Sequence, residues 1–136
     1  MDFKLELVVI PVSDVDRAKA FYRDLAGFRV DVDHRAGEDF RVVQLTPPGS
    51  ACSVTLMRND AAAGSVQGLH LTVADIEAAR AELAGRGVAV GELFHFGDGG
   101  QLAGPHPERA SYGTFFSFSD PDKNGWLVQE VQPPAA

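Results

Sequence analysis

The sequence predicts an α+β fold built from two βαβββ modules, at about residues 3–58 and 67–131. One observation is that each half of the chain shows the pattern of one strand, one helix and three further strands. The other is an internal repeat, because residues 12–20 and 73–81 share four of nine positions and differ conservatively at three more. Two such modules can pair about a pseudo-twofold axis, so we expect a single domain, 1–136.

The first module starts with residues 3–12, which alternate and then run apolar, as a strand does. Ser13 is the expected cap of the following helix. Gly27 suits the position after the helix end. The apolar residues at helical spacing are Val15, Ala18, Tyr22 and Leu25. Three more strands are predicted at residues 28–33, 40–46 and 51–57.

The second module repeats this order with a longer connection. A strand is predicted at residues 67–73, a helix from 74 to 85 and a strand at 88–95. Residues 96–113 form a predicted loop, with a mobile part at Gly97–Gly100. The last two strands are expected at residues 114–119 and 126–131.

Composition excludes several classes of protein. The chain has 136 residues, 12 Lys and Arg against 19 Asp and Glu, and a net charge of −7. This acidic balance argues against binding to nucleic acid or to an anionic membrane surface. There is no apolar run near the length of about 18 residues that spans a bilayer. The single cysteine, Cys52, forms no internal disulfide, which favours a cytoplasmic location.

Several motifs together resemble the vicinal oxygen chelate superfamily, which includes glyoxalase I, bleomycin resistance proteins and extradiol dioxygenases. They are the repeated Val-x-Asp-x-x-x-Ala at each helix start, Phe21-Tyr22, the run from Leu25 to Phe28, and the turn from Asp120 to Asn124. The resemblance implies that each module curls four strands into half of a cup, with helices on the convex face. It also implies a small-molecule ligand on the concave face.

Metalloenzymes of this superfamily take ligands from the first and last strands of each module. Carried over by resemblance, those positions are Leu7 and Thr55 in the first module and Gly68 and Gln129 in the second. None of these residue types is a preferred ligand for a divalent transition metal. We therefore expect no metal cofactor and predict a protein that binds a small organic ligand, as bleomycin resistance proteins do. Two alternatives stay open: a lyase, isomerase or dioxygenase with a divalent metal on non-standard ligands, and a metal-free enzyme.

His70 lies two residues after Gly68, so it is expected on the same concave face. It is the candidate general base of the metal-free alternative, and it could equally be a structural histidine. Arg109 either pairs with an anionic group of the ligand or forms a surface ion pair. The residues predicted to contact the ligand are His70, Gln129, Thr55, Arg109, Tyr112 and Phe116.

Two further expectations concern other histidines and assembly. His95 and His106 flank the predicted loop and could approach His70, although their spacing matches no known metal-ligand pattern. The resemblance implies a homodimer in which the edges of two cups meet. The alternating apolar residues of the first strand would then lie at the interface.

Overall fold

A computed structural model describes residues 1–132; residues 133–136 of the predicted domain lie outside the described residues. The described chain divides into two compact units. The first consists of residues 1–66 and the turn 120–124, and the second of residues 67–119 and the described residues from Gly125 on. Each unit has one helix and one mixed sheet, of four and five strands respectively, which confirms the predicted α+β class. That 1–136 behaves as one domain stays a prediction.

The first unit consists of a four-stranded sheet with a helix on one face. Its elements are β1 (Leu7–Val12), α1 (Val15–Ala20), β2 (Arg29–Ala36), β3 (Phe40–Thr46) and β4 (Ser53–Arg58). The strand order is β1-β4-β3-β2, and β1 runs parallel to β4 while the other neighbours are antiparallel. The residues that form its fully buried core are Ile10, Val12, Ala18, Tyr22, Val43, Leu45 and Leu56.

The start of α1 differs from the prediction by one residue. Asp14 is the cap, since its Oδ1 accepts a hydrogen bond from the backbone N–H of Arg17 at 3.0 Å. The predicted capping role of Ser13 is therefore wrong. The Ser13 backbone N–H and hydroxyl donate instead to the two carboxylate oxygens of Asp122, at 3.0 and 2.5 Å. After α1 the chain continues in a π-helical turn, Phe21–Leu25.

A buried carboxylate organises the turn 120–124 within the first unit. Asp120 is only 2% exposed. Its Oδ2 accepts hydrogen bonds from the Tyr22 hydroxyl at 2.8 Å and from the Asn124 side-chain amide at 2.9 Å. Its Oδ1 accepts from the backbone N–H groups of Asp122 and Asn124, each at 2.9 Å. The Asn124 amide also donates to the Pro11 carbonyl at 2.9 Å, so this one carboxylate joins the turn to the helix and indirectly to β1.

The second unit repeats this arrangement and adds one edge strand. Its elements are β5 (Leu69–Val73), α2 (Ile76–Gly85), β6 (Phe94–Gly97), β7 (Gly100–Ala103), β8 (Phe115–Ser119) and β9 (Gly125–Glu130). In the order β5-β9-β8-β6-β7, the first four strands correspond to those of the first unit. No helix among residues 1–132 is long and apolar enough to span a membrane.

The region around β6 and β7 corrects two predictions. The predicted strand at 88–95 begins only at Phe94. Before it, the Gly91 backbone N–H donates to the Ser117 carbonyl at 2.8 Å. The predicted loop 96–113 contains the rest of β6 and all of β7. Asp98 and Gly99 form the two-residue turn of that hairpin, and the φ of 88° at Gly99 is one that glycine adopts readily.

The predicted homodimer is not tested by this structure and stays a prediction. β1 is an edge strand of its sheet, so one side of its backbone has no neighbour in the first unit. Before it, the side chains of Phe3 and Leu5 are 91% and 70% exposed. An apolar edge of this kind is a surface on which a partner strand can pair.

We expect Tyr22→Phe to lower the free energy of unfolding by about 1–3 kcal/mol, because Asp120 would lose one of its buried donors. Urea denaturation followed by circular dichroism measures this. Tyr112→Phe is the matched control, since the Tyr112 side chain is 60% exposed and should change stability little. Equal effects of the two variants would contradict the importance of the Tyr22 hydrogen bond.

Candidate functional site

We call the side of the second sheet that faces away from α2 its distal face. In the parallel pair of β5 and β9, His70 lies opposite Leu127 and Thr72 opposite Gln129. In the antiparallel pair of β8 and β9, Phe115 lies opposite Gln129. Directly opposed residues of neighbouring strands point to the same side, as do alternate residues of one strand. His70 and Gln129 therefore share the distal face.

The β6–β7 hairpin extends the same face. Phe94 lies opposite Phe115 of β8 and also opposite Ala103 of β7, while Phe96 lies opposite Gln101. All of these side chains thus point to the distal side. Together the described strands place ten residues on the distal face: His70, Thr72, Phe94, Phe96, Gln101, Ala103, Phe115, Ser117, Leu127 and Gln129.

Three aromatic rings form a cluster on this face. The rings of Phe94 and Phe115 are stacked, with centroids 5.5 Å apart and an interplanar angle of 20°. The Phe96 ring meets both of them edge to face, with centroid distances of 5.7 and 5.5 Å. Phe115 is only 8% exposed, whereas Phe96 is 59% exposed. Phe96 therefore has aromatic surface available to another molecule.

The rest of the distal face is mostly polar, with His70, Thr72, Gln101, Ser117 and Gln129 beside the apolar Ala103 and Leu127. No Asp, Glu, Lys or Arg lies among its residues in the described strands of the second sheet. The side-chain amide of Gln129 makes no hydrogen bond to any described residue, so it keeps its donors and acceptor for another partner. A groove of about 370 Å³ opens beside Phe94, and Gln101, Ser117 and the exposed carboxylate residue Glu92, which precedes β6, are among the residues that line it.

Phe116, predicted to contact the ligand, lies on the opposite side of the sheet. It is opposed by Val128 and is completely buried, on the side of the sheet that faces α2. The structure therefore does not bring Phe116 together with His70 and Gln129. Phe115, one residue earlier, occupies the distal face instead. A shift by one residue along a strand moves a side chain to the other face, and only the register with β9 shows which of the two it is.

Arg109 is engaged by two carboxylates of the second unit. Its Nε and Nη2 donate to the two oxygens of Glu130 at 3.0 and 2.8 Å, and its Nη1 donates to Glu77 at 2.6 Å. Glu130 is 2% exposed, and its Oε2 also accepts from the backbone N–H of Ile76 at the start of α2, at 3.2 Å. Of the two roles considered for Arg109, the structure shows the ion pair, on the helix side of the sheet.

This network affects the acidity of Glu130. The hydrogen bonds from Arg109, the N–H of Ile76 and the positive charge of Arg109 together hold the pKa of Glu130 below its usual value, although burial acts in the opposite direction. Tyr112 is joined to the same residue through its backbone, since its N–H donates to the Glu130 carbonyl at 2.7 Å. The Tyr112 side chain is 60% exposed, and the structure does not show it on the distal face.

The three histidines weighed as possible metal ligands are separated. His70 lies on the distal face, with its Nδ1 2.6 Å from the Gly68 carbonyl oxygen. His95 alternates with Phe94 and so points to the helix side, where its ring lies 6.0 Å from the ring of His106. Nδ1 of His106 accepts from the backbone N–H of Glu108 at 3.1 Å. The sheet therefore lies between His70 and the other two rings.

The first unit also has a distal face, which we define as the side of its sheet away from α1. Thr55 lies on it, opposite Val9 of β1 and Gln44 of β3. Thr55 is 6% exposed, and its hydroxyl is the one buried side-chain polar atom of the described residues that lacks a hydrogen-bond partner. An unpaired buried hydroxyl is unfavourable by about 1–3 kcal/mol, so Thr55 is suited to a ligand group that supplies the missing bond.

The donor set at the superfamily's metal positions does not fit a metal. Leu7 and Thr55 in the first unit and Gln129 in the second offer an alkyl group, a hydroxyl and an amide, and Gly68 has no side chain. In the described part of the chain, no group of three or more His, Cys, Asp or Glu residues is arranged to hold a metal ion. These four positions therefore do not supply the imidazole, thiolate or carboxylate ligands that a divalent transition metal prefers.

A larger groove of about 690 Å³ lies in the first unit, next to the start of α1. Two ion pairs lie among its charged side chains. Arg41 bonds to Asp16 and to Asp33 at 2.9 Å, and Arg58 bonds to Asp60 at 3.2 Å. Hydrogen bonds from Arg41 and Lys19 hold the pKa of Asp33 far below its usual value. Arg41 and Arg58 are therefore already engaged by carboxylates at this groove.

Comparison with known proteins places this geometry in a family. Residues 4–128 match the model of the glyoxalase/bleomycin resistance protein/dioxygenase superfamily. TnmS3, an antibiotic binding protein from Streptomyces sp. CB03234, is 30% identical, with 96% of this chain and 98% of that chain covered and a TM-score of 0.75. A glyoxalase/bleomycin resistance protein from the same Streptomyces strain is 32% identical, with coverages of 93% and 99% and a TM-score of 0.67. A superfamily member from Sphaerobacter thermophilus DSM 20745 is 25% identical, with coverages of 95% and 98% and a TM-score of 0.71. No curated protein matches the sequence.

We expect Glu130→Gln to lower the free energy of unfolding at pH 7 by about 1–3 kcal/mol, because Arg109 would lose its charged partner. The folded-state pKa of Glu130 lies below its unfolded value, so its contribution is present above the unfolded pKa and is lost as pH falls through the folded pKa. The difference between variant and wild type should therefore shrink in acid. Urea denaturation between pH 7 and pH 3 measures it.

Glu92→Gln is the matched control, because the Glu92 side chain is 92% exposed and its contact with Arg80 is 3.4 Å long. This variant should change stability little at any pH in that range. A Glu130→Gln difference that stays constant from pH 7 to pH 3 would contradict the assigned role of the Glu130 charge.

Proposed function

We propose that this chain, which belongs to the glyoxalase/bleomycin resistance protein/dioxygenase superfamily, binds a small uncharged organic molecule and releases it unchanged. The observation that carries the proposal is the distal face of the second unit, which combines exposed aromatic surface with unpaired amide and hydroxyl groups and has no charged residue. Ligand sites are mostly apolar, with a few polar groups that orient the ligand. Gln129 and Ser117 are the polar groups we assign to this role.

Binding explains the described residues better than catalysis does. Acid–base catalysis requires a base and usually a second group that stabilises the developing charge. His70 is the one titratable group on the distal face of the described second sheet. Arg109, a cation that could otherwise polarise a bound substrate, is held by Glu130 and Glu77. The arrangement therefore favours recognition without turnover.

A relative supports the same proposal. TnmS3 is an antibiotic binding protein, and its likeness covers nearly all of this chain. We propose that this chain also acts by holding a small organic molecule, and so by sequestering it. The two chains are different enough that the ligand has to be inferred from the residues present here.

The first unit offers a second contact of the same kind. The Thr55 hydroxyl is buried and unpaired on the distal face of that unit. A carbonyl or hydroxyl group of a ligand would supply its missing hydrogen bond, which removes an unfavourable contribution that the protein otherwise carries. We propose Thr55 as a ligand-contacting residue of the first unit.

Without a suitable donor set, the protein should bind no transition metal specifically. Adding Ni²⁺, Zn²⁺, Fe²⁺ or Mn²⁺ to metal-free protein should leave the melting temperature nearly unchanged. A specifically bound ligand at 100 times its Kd would instead raise the free energy of unfolding by about 2.7 kcal/mol, and the melting temperature with it. Differential scanning calorimetry and elemental analysis measure this. One equivalent of metal per chain, bound through imidazole, would contradict the proposal.

Binding itself is tested by titrating ¹⁵N-labelled protein with a set of uncharged organic fragments. We expect those that bind to shift the backbone amide signals of His70, Leu127 and Gln129. Gln129→Leu should weaken their binding by about fivefold to a hundredfold, which corresponds to about 1–3 kcal/mol for an unpaired polar group. The control is Glu82→Leu on the exposed side of α2, which should have no effect. Fragments that bind only elsewhere, or that are chemically converted, would contradict the proposal.

A further inference from the structure

A histidine holds the loop of residues 106–113, between β7 and β8, through an acceptor that acid removes. We infer that this loop is an acid-sensitive segment: protonation of His106 at Nδ1 releases it and weakens the link that Arg109 makes between β9 and α2. The inference does not depend on the proposed ligand. It rests on hydrogen bonds, backbone conformation and charge within the second unit.

The imidazole of His106 accepts hydrogen bonds from its own loop. The backbone N–H groups of Glu108 and Ala110 donate to its Nδ1, over distances of 3.1 and 3.4 Å. An imidazole nitrogen accepts only while it carries no proton, and both ring nitrogens carry one in the charged form. The loop conformation seen here therefore needs His106 to be neutral, with its proton on Nε2. The side chain is half-buried, so a proton can reach it from water.

The backbone of the loop is strained. Arg109 and Tyr112 have φ of 51° and 64°, and they are two of the three non-glycine residues of the described chain with a positive φ. Residues with a side chain adopt this region unfavourably and stay in it only where surrounding contacts hold them. The two N–H groups bonded to His106 lie immediately before and after Arg109 in sequence. Loss of both bonds allows the Arg109 backbone to relax.

Arg109 connects the loop to the rest of the second unit. Its guanidinium donates to Glu130 of β9 at 2.8 Å and to Glu77 of α2 at 2.6 Å. These bonds depend on where the Arg109 backbone places the side chain. A loop that relaxes therefore also loosens the contact between β9 and the start of α2.

The charged groups around the loop include three carboxylates, which titrate in a different range from an imidazole. Glu108 belongs to the loop, and Glu77 and Glu130 contact it through Arg109. Glutamates ordinarily titrate near pH 4.3 and histidines near pH 6.5, while arginine stays charged throughout. β7 and β8 contribute no charged or titratable residue. A change between pH 7.5 and pH 5.5 therefore points to an imidazole.

His95 of β6 is the neighbouring imidazole, with its ring 6.0 Å from that of His106. Its Nδ1 lies 2.8 Å from the Gly104 carbonyl oxygen. A carbonyl oxygen only accepts, so Nδ1 of His95 carries a proton in the neutral and the charged form alike. Acid thus preserves the hydrogen bond of His95 and removes those of His106.

The test follows the loop amides of the full ¹⁵N-labelled chain at pH 7.5 and pH 5.5. Exchange protection of Glu108 and Ala110, corrected for the intrinsic pH dependence of exchange, should fall about twofold to tenfold in acid, as the loss of one hydrogen bond predicts. The internal control is the Ala78 N–H, which donates to the Asp75 carboxylate at 3.0 Å. Its protection should not change, because carboxylates as a class titrate below this range.

The Arg109 side chain reports on the link between β9 and α2. Its Nε–H donates to Glu130 at 3.0 Å and should also lose protection at pH 5.5. If this group keeps its protection while the loop amides lose theirs, the acid effect is confined to the loop and the weakened link is overturned.

Two variants identify the titrating group. His106→Asn keeps a side-chain oxygen that can accept from the N–H two residues later, as asparagine does in turns, but it does not titrate in this range. Protection of the Glu108 amide should then be the same at both pH values. His95→Asn is the matched control, since it removes the neighbouring imidazole and should leave the acid effect on Glu108 in place.

The tautomers are measured on the wild-type protein, so they do not depend on how either variant folds. Long-range ¹H–¹⁵N correlation spectra at pH 7.5 should show Nδ1 of His106 without a proton and Nδ1 of His95 with one. A proton on Nδ1 of His106 at pH 7.5, or equal protection of the loop amides at both pH values, would overturn the inference. So would an acid effect that persists in His106→Asn or disappears in His95→Asn.

Discussion

The buried carboxylate of Asp120 is the interaction on which the first unit depends. A buried charge without partners would be strongly unfavourable, but here four donors surround it. They come from the helical segment, through Tyr22, and from the turn itself, through Asp122 and Asn124. Removing any one of them leaves the carboxylate less well satisfied, so the turn and the helix are stabilised together.

The two units share the same order of one strand, one helix and three further strands, and they differ in one strand that the second unit adds. Each helix begins with an aspartate whose side chain accepts from a backbone N–H three residues later, Asp14 in the first unit and Asp75 in the second. Each sheet buries one face against its helix. The second unit alone adds β7, and the β6–β7 hairpin supplies two of the three rings of the aromatic cluster. β7 thus provides an extra edge, while β6 carries Phe94 and the exposed Phe96 of the aromatic cluster.

The sequence predicts the strand and helix content well because that content depends on local patterns. Alternation places the strands, and β3 lies at the predicted residues 40–46. The candidate site is harder to predict, since it depends on how strands align. Phe116 is expected on the same face as Gln129, and the pairing with β9 places Phe115 on that face instead. Arg109 shows a second limit: its two acidic partners lie 32 and 21 residues away in sequence, and no local pattern connects them.

The position of the turn 120–124 also has a consequence for biosynthesis. During translation, residues 1–66 are synthesised well before Asp120 is added to the chain. The first unit nevertheless includes the turn 120–124. Until the turn is made, the Tyr22 hydroxyl and the Pro11 carbonyl lack the partners they have in the finished protein. The nascent first unit therefore cannot reach its final structure early, and a chain cut after residue 66 would lack a part of its own interior. Contacts between residues so distant in sequence slow folding, because a long loop must close before they form.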